Sequence, residues 1–261
     1  MKLNILFLFI LSACSSLTPS EEDINKAAAE AYEKVKAESK ISQDPEINAM
    51  VDRVATRIAK NSGKDYNWEW VVIESEEQNA WAMPGGKMAV YTGILPIVKT
   101  EAGLAAVLGH EVAHVTEKHG NERYARAVKS NVTGLVIGVG SALAGQLLCK
   151  SQTCATLTGL GGAAAGFAIQ FFDMKFSREQ ETEADKVGLK YMARSGYQPE
   201  EALNVWKRME EASKGAPPEV LSTHPSNQTR QKNISQWLPE AREIYSEAPS
   251  KLGEGAQIKS L

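Results

Sequence analysis

What this sequence has little of narrows its class before any motif is read. It carries no run of lysine or arginine and no alternation of basic with aromatic residues, and its formal net charge is −3, so a nucleic-acid partner is not indicated. Apolar runs of full membrane-spanning length are also missing: the stretch from Leu3 to Leu11 is too short to span a bilayer, and Val132 to Leu148, with no charged residue, only nearly meets that length. No solenoid-type repeat is present. Cysteine is scarce, with three in the chain, and so is histidine, with four. The remainder, 43% hydrophobic and 23% charged over 261 residues, suits one globular domain or a domain with a helical appendage.

The N-terminus reads as a targeting segment and not as part of the fold. Lys2 precedes the apolar run, and Leu11-Ser-Ala-Cys14 has the pattern of a bacterial lipoprotein cleavage site, giving a signal peptide over 1–13 and a lipidated Cys14. A plain signal peptide or an uncleaved anchor is the alternative. Ser15, where Asp would signal retention, resembles the outer-membrane sorting pattern, so the expected location is the cell envelope, with acyl chains holding the domain at a membrane. Residues 14–20 then form a tether. In an exported protein Cys149 and Cys154 are expected to close a small disulfide loop, with free thiols or a second zinc site as alternatives.

Between 21 and 248 the pattern is α+β and mainly helical. Ala, Glu and Lys from Glu21 to about Lys40 favour a helix, and Ile47, Met50, Val51, Val54 and Ile58 recur at helical spacing in a second. Trp68–Ile73 and Lys87–Thr92 read as strands, with a Pro84-Gly85 turn between them. Thr100 is placed to cap a helix running to about Lys118. Residues 132–172 are apolar and crowded with Gly and Ala; a buried helical hairpin is the favoured reading and a membrane-dipping segment the other. Further helices are expected over 177–195, 200–214 and from Gln228 past Trp237. The tail 249–261 reads as poorly ordered.

The chemistry centres on His110-Glu-Val-Ala-His114. Histidines four apart stack on one helical face, so both imidazoles reach one zinc ion, and Glu111 beside them suits a general base toward water. Two surface histidines with a salt-bridging glutamate would be the plain alternative, but the apolar approach Leu104–Leu108 argues for burial. A third ligand has to come from another helix, and Glu179, Glu181, Glu183 and Asp185 are candidates that spacing alone cannot separate. Glu181 and Asp185 stack, so one of them suits the metal and the other a ligand histidine. His119, five residues past His114, falls off its face and is read as structural.

HExxH followed by Glu181-Thr-Glu-Ala-Asp185 resembles the gluzincin metallopeptidase family that includes HtpX and the CAAX prenyl proteases. Its periplasmic BepA- and LoiP-like members are nearest in size and export signal. Asn79-Ala-Trp-Ala-Met-Pro-Gly-Gly86, the segment Gly109 to Gly120, and Ser222-Thr-His-Pro with Arg230 also match, so the likeness spans Asn79 to Arg230. The resemblance implies a zincin-like fold with a small sheet beside the HExxH helix. It implies one Zn²⁺ on His110, His114 and Glu181, with Glu111 as general base and Asp185 in support. It places His224 and Arg230 near the reaction centre. His224 would stabilise the oxyanion or fill the open zinc position at rest.

The expected activity is therefore a zinc endopeptidase that degrades misfolded or misassembled envelope proteins, with other envelope assembly factors as partners. A chaperone-like factor with a covered, rarely active site is the alternative. Lys87, Met88, Ala89, Val90 and Tyr91 are expected to be the substrate strand, provided that they form a sheet edge beside the metal.

Overall fold

Helix starts are set by single residues. Ser20 accepts from the Asp23 amide and Asp23 bonds back to the Ser20 amide, a capping box at the head of α1 (Glu21–Glu38). Asp44 accepts from the amides of Glu46 and Ile47 ahead of α2 (Pro45–Asn61), where Pro45 occupies a first-turn position that needs no N–H. Three strands follow: β1 (Glu69–Ile73), β2 (Ala80–Met83) and β3 (Lys87–Tyr91). A 3₁₀ turn, Thr92–Ile94, and the short α3 (Leu95–Val98) lead into α4 (Glu101–Thr116), which carries the HExxH residues. Residues 119–129 are again helical. Then come α5 (Arg178–Arg194), α6 (Glu200–Ala212) and α7 (Gln228–Glu247), the last continuing through Pro239. The structure, a computed structural model, describes residues 19–129, 175–212, 224 and 228–258. Outside the described residues lie the expected signal peptide with Cys14, the 132–172 hairpin and the pair Cys149 and Cys154. Among the described residues, no helix is long and apolar enough to cross a membrane.

The sheet has the order β1-β3-β2, with β1 parallel and β2 antiparallel to β3. Alternation along the strands divides its faces. Val71, Ile73, Trp81, Met83 and Ala89 face α1, where Ile24, Ala28 and Tyr32 cover them. Val72, Ala80, Ala82, Met88 and Val90 join the main core with α2 and α4. This order corrects the expected substrate strand. Lys87–Tyr91 is the central strand, and both of its edges are already paired, so no polypeptide can add to it. The edge strand on this side is β2, a run with alanine at alternate positions and no β-branched residue, whose strand character the sequence does not advertise.

Helices α4 and α5 meet backbone to backbone. A Cβ on Gly188 would lie 2.7 Å from Gly109 C and O, so only glycine at both positions permits this approach. The contact sits one residue before His110 and three after Asp185, and it sets the distance between the two halves of the site. The tail also differs from expectation. Residues 249–258 fold back onto the start of α4, where the Glu101 and Ala102 amides donate to Ala256 O and Glu254 O. With Thr100 Oγ1 accepting from the Gly103 amide and Thr100 O from Leu104, the whole first turn of α4 is satisfied. Composition suggested disorder because the tail's attachment is made through backbone groups, with only Leu252 and Ile258 packed on the core.

Candidate active site

His110, Glu111 and His114 are 4%, 2% and 1% exposed, which excludes a surface pair. Helical spacing stacks the two imidazoles, and His114 Nε2 lies 3.0 Å from His110 Nε2. From α5 the buried residues Glu181 and Asp185 face them, while Glu179 and Glu183 are exposed. Burial thus separates the four acids that spacing left open. Glu181 Oε2 is 3.6 Å from His110 Nε2, and its Oε1 is 3.5 Å from His114 Nε2. His224, 2% exposed, completes the group, with its Nδ1 2.9 Å from Glu181 Oε1 and 3.1 Å from His110 Nε2. One ligand atom from each of His110, His114, Glu181 and His224 can be chosen so that all lie within 4.8 Å of one another.

Hydrogen bonding alone does not account for this cluster. Asp185 Oδ1 is 3.0 Å from His110 Nδ1; Arg230 Nη2 is equally close, but a guanidinium has only donors. The carboxylate therefore selects the Nδ1–H form of His110 and leaves its Nε2 lone pair facing two more imidazole nitrogens, with Arg230 Nη2 3.2 Å away. Converging lone pairs and a carboxylate oxygen are a donor set for a zinc ion, and the residues fit one such ion per chain. Arg230 braces the acids from the other side. Its Nη1 donates to Glu181 Oε2 at 2.9 Å, its Nη2 and Nε reach the two Asp185 oxygens at 2.6 Å, and its Cζ lies 3.4 Å from the Trp206 ring centre.

Burial depresses the pKa values of His110 and His114 well below the usual imidazole value, and Arg230 adds to the effect at His110; neutral imidazoles are what a metal needs. Burial also pushes the Glu181 carboxyl upward, but the surrounding histidines outweigh it and hold it far below the carboxylate range. Asp185 is raised to about 6 by burial, against the pull of Arg230. Glu111 is raised to about 7 by burial, with His224 opposing. For His224, burial lowers the value, and the charges of Glu111 and Glu181 more than reverse it. Glu111 Oε1 is buried and has no hydrogen-bond partner among the described residues.

Several participants escaped sequence reasoning. Phe176 stacks on the His114 ring at 3.8 Å, and Arg123 lies over the other side of Phe176 at 3.8 Å. His119, read as structural, sits directly behind His114, with 3.0 Å between their Nδ1 atoms. Its spacing and the end of the helix near Lys118 were visible in the sequence, but the left-handed turn that brings it back beneath His114 was not.

Two histidines from an HExxH helix, a glutamate from a second helix, and an aspartate one turn further on that holds a ligand imidazole define a single-zinc metallopeptidase centre of the gluzincin type. The chain belongs to peptidase family M48, whose model matches residues 42–238. It is 39% identical over 198 residues to the mitochondrial metalloendopeptidase OMA1 of Schizosaccharomyces pombe, covering 74% of this chain and 53% of that protein. The mitochondrial metalloendopeptidase OMA1 of Saccharomyces cerevisiae is 35% identical over 189 residues, 69% of this chain and 50% of its own length. The beta-barrel assembly-enhancing protease of Escherichia coli K12 is 26% identical over 190 residues, covering 72% and 38%. The chain spans about half the length, or less, of these curated relatives.

Proposed function

We propose that this chain is a zinc-dependent endopeptidase of the bacterial cell envelope, tethered through Cys14, that cuts misfolded or misassembled envelope proteins. The observation that carries the activity is Glu111, a buried carboxylate beside the ligand set with one oxygen left without a hydrogen-bond partner among the described residues. Bound zinc supplies Lewis acidity toward the scissile carbonyl and acidifies water. Glu111 takes the proton from the attacking water and delivers it to the leaving amine. His110, His114 and Glu181 would hold the ion, Asp185 fixes the His110 ring, and Arg230 fixes both acids.

The substrate lies along β2. Asn79 and Tyr91 form a hydrogen-bonded pair with β3, so alternation turns the backbone groups of Ala80 and Ala82 to the opposite edge. The Ala82 amide hydrogen-bonds Glu111, which puts that edge next to the base. Main-chain pairing there reads few side chains, as loose quality-control cleavage requires. The envelope location rests on the Leu11–Cys14 pattern and is supported by the likeness to a protease named for β-barrel assembly; the relatives named as mitochondrial are more alike in sequence.

His224 Nδ1 stands among the ligand atoms, which favours its role as occupant of the fourth position at rest, and this is the observation behind the reading of a covered, rarely active assembly factor. Casein or envelope-protein degradation by the purified mature chain tests the proposal. Glu111→Gln is expected to lower turnover about 10²–10⁴-fold with zinc retained, and a chelator to abolish it. Full cellular function of Glu111→Gln would leave only the assembly-factor reading.

A further inference from the structure

On an uninterrupted helix His119 would stand well round from His114, yet the two rings are neighbours. The chain leaves α4 at Thr116, and Lys118 adopts a left-handed backbone with φ +59°, a region that non-glycine residues rarely occupy. That break returns His119 underneath the catalytic helix, where it is 2% exposed. Its Nδ1 is 3.0 Å from His114 Nδ1, and its Nε2 is 3.2 Å from Glu183 Oε2 on α5. Glu183 itself is largely exposed.

The protons can be placed in only one consistent way along this row. His114 Nε2 faces His110 and Glu181, so as a ligand atom it carries no proton and Nδ1–H does. His119 Nδ1 must then accept, which leaves its N–H at Nε2, pointing at a carboxylate that only accepts. His110 has the same support in shorter form, from Asp185 directly.

We propose that His119 and Glu183 are positioning residues for the metal: Glu183 orients His119, and His119 holds the His114 ring in the tautomer and direction that zinc requires. The two ligand histidines are then supported differently, one by a buried acid and one through an intervening imidazole to a surface acid. The inference rests on the zinc reading above, and the test separates the two.

The test is zinc affinity of the full chain, measured by chelator competition, with the visible spectrum of the cobalt-substituted protein as a readout of ligand geometry. His119→Leu keeps bulk and loses the acceptor. His119→Asn places an amide oxygen near the position of Nδ1. Glu183→Ala touches an exposed residue and leaves the core intact. His119→Leu is expected to weaken zinc about 10–100-fold and alter the cobalt spectrum, His119→Asn to stay within about 3-fold of the parent, and Glu183→Ala to lose about 3-fold. In a His119→Leu background, Glu183→Ala is expected to add nothing. Equal losses in the Leu and Asn variants would show that packing, not the hydrogen bond, is at stake and overturn the proposal. So would unchanged affinity in His119→Leu, or unchanged affinity in Glu183→Ala. A parent chain that binds no zinc overturns the metal reading itself, a result distinct from any of these.

Discussion

Arg230 shows what one residue does for this site. It is 5% exposed and bonds two buried carboxylates at once, one of them Glu181 of the ligand set and the other Asp185. Removing the guanidinium strands both acids. Arg230→Met is expected to destabilise the metal-free protein by about 3–5 kcal/mol, read as a lower urea midpoint, with zinc recovering part of the loss by neutralising Glu181. An unchanged midpoint would mean that the two carboxylates are held by something else. Residue types and spacing made His110, Glu111 and His114 legible in the sequence, because a helix converts four-residue spacing into adjacency. Choosing Glu181 from four acids was not possible from spacing; resemblance singled it out, and burial agrees. That His119 lies beside His114 was not legible for a physical reason: a helical projection holds only while the helix lasts, and the left-handed Lys118 turns the chain back beneath it.

At the scale of elements, the site depends on how closely α4 and α5 approach. Gly188→Ala sets a Cβ 2.7 Å from Gly109 C and O and from the His110 amide nitrogen, so the helices must part. The expected cost is about 1–3 kcal/mol in thermal or urea unfolding. Zinc should also weaken about tenfold, because Glu181 retreats from the histidine pair. Loss of stability without loss of zinc affinity would show that Glu181 has slack to follow. The edge of β2 makes a separate prediction about substrates. N-methylation at successive amides of a cleaved peptide is expected to lower kcat/KM about tenfold at alternate positions, following the two-residue repeat of a strand. Uniform tolerance would argue against strand addition. Helix positions were legible through apolar spacing in α2 and through the cap at Thr100 in α4. The order of the strands was not, because alternation shows which residues share a face and says nothing about which strand lies in the middle.

Across the whole molecule, the most distant piece of sequence serves the most central element. Deleting residues 249–261 removes the acceptors of the Glu101 and Ala102 amides and uncovers the packing of Leu252 and Ile258. Unsatisfied amides cost about 1–3 kcal/mol each when they stay buried, so the truncated protein is expected to melt several degrees lower, as calorimetry or circular dichroism would show. An unchanged melting temperature would mean that water replaces the tail at no cost. Nothing in the tail's composition announced this role, since backbone carbonyls are available to any sequence.

That arrangement also has a consequence in time. The catalytic helix is complete once Thr116 has been added, but its first turn finds its last partners only after residues 254 and 256 have left the ribosome. During the synthesis of everything between, the nascent enzyme holds its metal ligands on a helix whose leading end is still open. A chain stopped short of residue 254 therefore carries the His110–His114 helix with two first-turn amides still without these carbonyl partners.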